Sequence, residues 1–198
     1  MTANSLTAEL WAMATLPASA RDMFGDTLGS LSAVAIDPQT WTQKRGAWSA
    51  TVFTLPDRGF NTPAKDEYSD YPGRVHAFTL RIGKKGDARL EYLRSQYLRD
   101  ADGAQTTGLD PGKATKQLFK QALPAGDRGL GKSVPRRLSL DAEGLARQAD
   151  GSFYVSDEFA CAIYFFDASA QMRGVILPPP SIAPRKRKRP HFTSHDRD

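Results

Sequence analysis

The sequence predicts an all-β protein, and two observations carry that prediction. Turn-forming motifs recur along the whole chain, among them DPQT, PDRG, IGKKGD, DADG and QADGS. Between them lie short runs rich in Val, Phe, Tyr, Ile and Thr, a pattern typical of short antiparallel strands rather than of strands alternating with helices. The expected strands are residues 31–36, 49–56, 74–82, 89–94, 151–157 and 161–167.

Two segments favour helix instead. Residues 6–15 place apolar side chains near helical spacing, and residues 113–123 (KATKQLFKQAL) are long enough for three turns. Neither segment has a capping residue at both ends. We therefore expect at most two short helices beside the strands.

A repeat within the chain extends the prediction to a β-propeller-like fold. SLSAVAID, starting at Ser30, resembles SLDAEGLA, starting at Ser139, and each leads through a turn into a strand that ends in an acid. Repetition of such strand–turn–strand units favours a propeller over a sandwich. At roughly 40–45 residues per blade, the chain holds about four blades, so we expect an incomplete propeller.

Length and composition are ordinary for a globular domain. The chain has 198 residues, of which 40% are hydrophobic and 25% charged. The N-terminus lacks the basic start and apolar run of a signal peptide. No apolar stretch approaches the length of about 20 residues that spans a bilayer. Cys161 is the only cysteine, so no internal disulfide can form.

Positive charge is concentrated at the C-terminus. The net charge is +5, and residues 185–198 hold six Arg or Lys and two Asp, which leaves +1 for the rest of the chain. We expect 185–198 to be a disordered tail, with a nuclear address or a phosphate-binding arm as the functional alternative. A body so close to neutrality does not favour nucleic-acid binding.

Aspartates end two of the predicted strands. Because side chains alternate along a strand, Asp57 and Asp157 lie on the apolar faces, where an unpaired charge is costly. Asp141 and Glu143 lie in the DAEG segment, and Glu158 follows Asp157 directly. A site that gathers such carboxylates fits Ca²⁺, which takes six to eight oxygen ligands. The alternative is that these acids only cap turns by accepting backbone hydrogen bonds.

Three other features have weaker functional interpretations. His76 shares a strand face with apolar residues, which favours a core histidine over a catalytic acid. The segment 126–133 (GDRGLGKS) matches a phosphate-binding loop, but neither a buried strand before it nor a helix after it is predicted. Cys161 lies among small apolar residues and is expected to be a buried structural thiol.

The motifs also resemble those of a known family. LPDRG at 55–59, PGRVHAFTL, TTGLDP, and DAEGLARQADGSFYVSDEF at 141–159 occur in the order seen in the phytase-like family, whose members are described as having esterase-like activity of phytase. The resemblance runs over 24–184, which we take as a partial propeller domain after an N-terminal segment, 1–23. Two departures are the absence of Gly-Pro after VSDEF and the basic residues after 184.

The resemblance implies an exported hydrolase of small phosphoester or ester substrates, extracellular or periplasmic. It does not specify the oligomeric state. Carried over position by position, the site residues it implies are Asp57, Arg58, Asp141, Glu143, Asp157 and Glu158. The five acids would bind Ca²⁺, and Arg58 would either hold a phosphate or form a structural salt bridge. Two alternatives stay open: a non-catalytic propeller fragment that binds a ligand or protein, and a nucleotide-binding protein that uses 126–133.

Overall fold

The computed structural model describes residues 7–62, 67–126 and 135–193. Within these residues the only helical segment is a 3-10 turn at Pro38–Thr40, so the all-β prediction is confirmed. The segment 7–15, for which a helix was expected, contains only an isolated bridge from Met13 to Asp87. No helix in the described residues is long and apolar enough to cross a bilayer.

Sheet I is antiparallel, and its strands are β1 (Ala33–Ile36), β2 (Thr42–Lys44), β3 (Ala47–Leu55), β6 (Arg74–Ile82) and β7 (Ala88–Tyr97). The strand order is β1-β3-β6-β7, and β2 pairs with the first three residues of β3. A second pair, β4 (Asn61–Thr62) and β5 (Glu67–Tyr68), follows the Asp57–Arg58 turn.

Sheet II has the order β10-β9-β8 and lies between the other two in sequence. Its strands are β8 (Thr115–Leu118), β9 (Gln121–Gly126) and β10 (Arg137–Leu138). The helix expected over 113–123 is therefore wrong. Phe119 and Lys120 both adopt positive φ, 51° and 62°, which is the geometry of a two-residue hairpin turn that matches strand twist.

Sheet III is a four-stranded antiparallel meander, β11-β12-β13-β14. Its strands are β11 (Ala142–Arg147), β12 (Phe153–Asp157), β13 (Ala162–Phe166) and β14 (Met172–Ile176). The two repeats found in the sequence occupy equivalent places, since each supplies the first strand and its antiparallel partner in sheets I and III. This arrangement is consistent with a β-propeller-like fold.

The hydrophobic core lies between sheets I and III and reaches sheet II. In β12, buried and half-buried residues alternate, so that Phe153, Val155 and Asp157 all face inward as the strand period requires. The segment between β7 and β8 bonds to later parts of the chain, with the Met172 amide of β14 donating to the Arg99 carbonyl and the Leu140 amide, between β10 and β11, to the Thr107 carbonyl. The connecting segment between β7 and β8 therefore packs against the chain near sheets II and III.

The C-terminal segment differs from the expected disordered tail. Residues 185–193 contain a hairpin of β15 (Arg185–Lys186) and β16 (Arg189–Pro190). Phe192 is only 7% exposed and belongs to the core, and its amide donates to the Gly112 carbonyl. Burial of this aromatic ring explains the order, because it removes a large apolar surface from water. Residues 194–198 lie outside the described residues.

The loop before β1 is attached to sheet I by Arg74, which is fully buried. Its guanidinium pairs with Asp22 at 2.5 Å and Asp26 at 2.8 Å. Its Cζ lies 4.0 Å from the ring centre of Tyr71 and 5.0 Å from that of Tyr97. This cluster anchors part of the segment 1–23 that the sequence did not connect to the domain.

Candidate functional site

Two loops form the centre of the candidate site, one after β3 and one before β11. In the first loop the Gly59 amide donates to Asp57 Oδ1 at 2.8 Å, and Gly59 has a φ of +81°, which favours glycine. An added Cβ at Gly108 would collide with the Arg58 carbonyl oxygen, so this glycine allows the Arg58 backbone to pack closely. These contacts fix the conformation of the loop without a ligand.

Arg58 and Asp141 join the two loops. Arg58 Nε lies 3.2 Å from Asp141 Oδ2, and the Arg58 amide donates to Asp141 Oδ1 at 3.3 Å. The guanidinium also donates to Asn61 Oδ1 at 3.1 Å and lies 5.3 Å from the Phe159 ring centre. Of the two roles considered for Arg58, the salt bridge is present, and its partner is Asp141.

Asp157 lies beneath the Asp141 loop. Its Oδ1 accepts the Asp141 amide at 2.9 Å, while its Oδ2 accepts the Ala160 amide at 2.8 Å and the Tyr164 hydroxyl at 3.2 Å. The side chain is 3% exposed. These three donors make Asp157 a buried group that orients the Asp141 loop from below.

Three carboxylates lie close enough to share a cation. Oxygens of Asp141, Glu143 and Glu158 lie within 4.8 Å of one another. Asp141 is buried, whereas Glu143 and Glu158 are exposed. Glu158 is held there because its amide donates to the Asp141 carbonyl at 2.9 Å. The group has one buried carboxylate at its base and two that are open to solvent.

Asp57 is placed beside this group rather than in it. Its own amide donates to Ser30 Oγ at 3.5 Å, and its carboxylate accepts from the Gly59 amide. Burial is the main cause of the raised pKa of Asp141 and of Glu143, and the charge of Asp57 adds a smaller contribution to both. The turn-capping alternative thus describes Asp57 and Asp157 better than it describes Asp141.

Burial and negative charge raise the pKa of the site's carboxyls. Burial raises the pKa of Asp141 to about 6, with the Arg58 guanidinium opposing and the Glu158 charge adding to the rise. Burial raises the pKa of Asp157 to about 7 despite its three donors. The pKa of Glu143 is also raised, first by burial and then by Asp141. A cation among these groups would favour their ionised forms.

Sequence reasoning missed three residues that shape the site: Asn61, Phe159 and Tyr164. Tyr164 lies in β13, where its register partner is Val155 on β12, two residues before Asp157. Side chains alternate between the two faces of β13, and this pattern indicated that Tyr164 faces inward. It did not indicate the hydrogen bond from Tyr164 to Asp157. Phe159 directly follows Glu158 in the VSDEF motif, so its proximity to the site could have been expected.

The other sequence candidates are His76, Cys161 and the segment 126–133, and His76 lies outside this site. His76 is fully buried, as expected for a core histidine, with Nδ1 2.6 Å from Ser95 Oγ and Nε2 3.0 Å from the Leu28 carbonyl. Cys161 was expected to be buried but is exposed, because it lies in the tight turn between β12 and β13 with a φ of 51°. Of the segment 126–133, residues 127–133 lie outside the described residues.

Comparisons with known proteins agree with the motifs. The family model described as phytase-like, esterase-like activity of phytase, matches residues 26–195. An uncharacterized secreted protein of Arthroderma benhamiae is 30% identical over 91% of this chain, and the chain spans 38% of that protein's length. No solved structure matches the chain. The family match covers both loops of the site and the C-terminal hairpin.

Proposed function

Since the chain belongs to the phytase-like family, we propose that it hydrolyses phosphoester or ester bonds of small substrates at the Asp141–Glu143–Glu158 group, with Ca²⁺ as cofactor. The observation that carries the proposal is the proximity of these three carboxylates, whose oxygens lie within 4.8 Å of one another. The family resemblance supports hydrolysis, and the relative named as secreted supports an extracellular location.

The donor set fits a hard cation. Ca²⁺ prefers carboxylate oxygens and completes its six to eight ligands with carbonyls and water. Glu143 and Glu158 present exposed carboxylates, so water could fill the remaining positions. Asp141 Oδ1 and Oδ2 each accept from Arg58, and a carboxylate oxygen can accept more than one interaction.

Each residue of the candidate site has a distinct part in the proposed reaction. The bound cation would neutralise charge on the substrate's oxygens and lower the pKa of a bound water. Asp141, Glu143 and Glu158 would hold the cation, and its charge would keep the buried Asp141 carboxylate in its ionised form. Arg58 and Asp157 are positioning residues, because both hold the Asp141 loop. Asp57 contributes negative charge from the adjacent turn.

The second candidate is a non-catalytic module that binds a ligand or protein through the same carboxylates. One observation favours it. The Arg58 guanidinium is engaged by Asp141 and Asn61, with a side chain only 12% exposed. This guanidinium is already held by two side chains of the site. Its geometry is therefore as consistent with a structural role in the loop as with contact to a phosphate.

A hydrolysis assay separates the two candidates. We would measure release of p-nitrophenol from its phosphomonoester, phosphodiester and acetate, each in millimolar Ca²⁺ and in a chelator. The proposal expects Ca²⁺-dependent hydrolysis of at least one of them, lost in Glu158→Gln. Glu9→Gln, an equal charge change at an exposed residue of the N-terminal segment, should keep it. Ca²⁺ binding without hydrolysis would favour the non-catalytic module.

A further inference from the structure

A polar cavity lies at the end of sheet I opposite to the carboxylate group. It has a volume of about 350 Å³, and Ser49, Arg81 and Arg89 are among its lining residues. Ser49 lies near the start of β3, whereas the Asp57–Arg58 turn follows the end of that strand. At about 3.3 Å per residue, Ser49 and Leu55 are separated by about 20 Å, so the two sites are distinct.

Strand register builds the floor of this cavity. Thr42 pairs with Ser49, Ser49 with Arg81, and Arg81 with Arg89, across β2, β3, β6 and β7. Residues directly opposite in antiparallel strands project from the same face. This face carries core residues such as Phe53 at its other end, but here Arg81 and Arg89 are exposed.

The row places two guanidinium-bearing residues directly opposite each other, an arrangement that is destabilising on its own. Glu91 neutralises one of them, with Arg81 Nε 2.9 Å from Glu91 Oε2. Within the part of the chain that the structure describes, Arg89 forms no ion pair. Lys44 also lines the cavity and likewise has no ion-pair partner among those residues.

The surrounding hairpin tips add to the positive charge. Segments 42–49 and 81–91 together hold six basic residues and two acidic ones, a net of +4 against +5 for the whole chain. The near-neutral charge of residues 1–184 therefore conceals a strongly basic end of sheet I. Among the described residues that line the cavity, Asp87 is the only acid, and its carboxylate lies against Gly83.

We propose that this cavity binds a phosphate or sulfate group. Arg81 and Arg89 would donate to its oxygens from two strands, since the planar guanidinium matches oxyanion geometry, and Lys44 would add charge. The Ser49 hydroxyl lies in the same row and can donate as well, whereas the Thr42 hydroxyl already donates to the Ser49 carbonyl at 3.5 Å. Binding would relieve the repulsion between the two arginines. This site is independent of the function proposed for the carboxylates.

The test is a titration of the full chain at low ionic strength with inorganic phosphate, inorganic sulfate and glycerol phosphate, followed by amide chemical shifts. The proposal expects saturable shifts at Ser49 and Arg89. Arg89→Gln should raise the dissociation constant at least tenfold. Arg94→Gln removes an exposed charge elsewhere on β7 and should change it less than twofold. A response to glycerol phosphate alone would mark an ester-linked group as the ligand.

Thermal melting gives a second readout that does not depend on activity. Without anion, Arg89→Gln should melt no lower than the unmodified chain, because the substitution removes a like-charge pair. With phosphate, only the unmodified chain and Arg94→Gln should gain stability. No saturable binding of any of the three anions, or equal weakening by Arg89→Gln and Arg94→Gln, would overturn the proposal.

Discussion

Arg58 and Asp141, 83 residues apart in sequence, form a largely buried ion pair that joins the loop after β3 to the loop before β11. The side chains are 12% and 4% exposed. Removing one partner of such a pair leaves the other charge buried without compensation, which costs far more than the pair contributes as a whole. The properties of the candidate site therefore depend on this contact.

Replacement of Arg58 tests the ion pair directly. We expect Arg58→Ala to lower the free energy of unfolding by about 3 kcal/mol at pH 8, because it leaves Asp141 buried and unpaired. Removal of Arg58 raises the Asp141 pKa above its value of about 6, so the loss should shrink as pH falls toward 6, below which the carboxyl is protonated in both chains. Urea denaturation at pH 8 and at a pH below 6 measures the loss in the free energy of unfolding.

Arg81→Ala is the matched control, since its pair with Glu91 is exposed. An exposed pair contributes about 0–1 kcal/mol. Equal losses in the two variants would mean that the Arg58–Asp141 contact is screened like a surface pair.

Calcium should stabilise the chain in a pH-dependent way. A ligand at 100 times its dissociation constant adds about 2.7 kcal/mol to the free energy of unfolding. Asp141 must lose its proton to bind, so affinity should rise as pH increases through about 6. Calorimetric titration at pH 5 and pH 7.5 checks this. Glu158→Gln should reduce the affinity, and affinity unchanged by that substitution would exclude this group as the site.

His76 should make stability depend on pH in the opposite direction from the raised carboxyls. Burial lowers its pKa from 6.5 to about 4. Between these values the unfolded chain binds a proton that the folded chain resists, so the free energy of unfolding falls as pH decreases from about 6.5 to about 4. The contribution is about 3 kcal/mol.

Asp141 and Asp157 have raised pKa values, so the folded chain binds protons more readily than the unfolded one and gains stability as pH falls through 7 and 6. Comparison with His76→Gln isolates the histidine, because glutamine does not titrate. The stability difference between the two chains should narrow from pH 7 to pH 4. A constant difference would contradict the prediction.

Asp157→Asn separates a positioning role from a direct one. Asparagine presents an N–H group where Asp157 accepts from two amides and a hydroxyl, so we expect a loss of about 2 kcal/mol in stability. Tyr164→Phe removes one donor only and should cost about 1 kcal/mol. Denaturant titration measures both. If Asp157→Asn abolished Ca²⁺ binding without loss of stability, Asp157 would itself be a ligand.

Phe192 tests whether the C-terminal hairpin belongs to the domain. Truncation of a buried Phe to Ala costs about 3–5 kcal/mol, and we expect Phe192→Ala to reach that range. Phe60→Ala, at a side chain 68% exposed, is the control and should cost far less. Similar melting temperatures for Phe192→Ala and the unmodified chain would show that the hairpin adds nothing to the core.

Strand positions were predictable because they depend on local periodicity. The expected strand at 74–82 coincides with β6, and those at 151–157 and 161–167 contain β12 and β13. The segment 113–123 was mistaken for a helix because its apolar residues are too few to distinguish the two periods. The left-handed turn at Phe119 decided the outcome, and neither Phe nor Lys signals such a turn.

The sequence by itself determined the all-β class, the family and six candidate site residues, since these depend on local patterns and motifs, but it gave no sign of Asn61 or of the Tyr164 hydrogen bond. Only the tertiary structure decided the different roles of those residues. Asp141, Glu143 and Glu158 form a group close enough to share a cation, whereas Asp157 and Arg58 hold the Asp141 loop in place. Pairing across 83 residues depends on how the sheets pack, and that is not encoded in any local spacing. The opposed arginines of sheet I follow from register for the same reason.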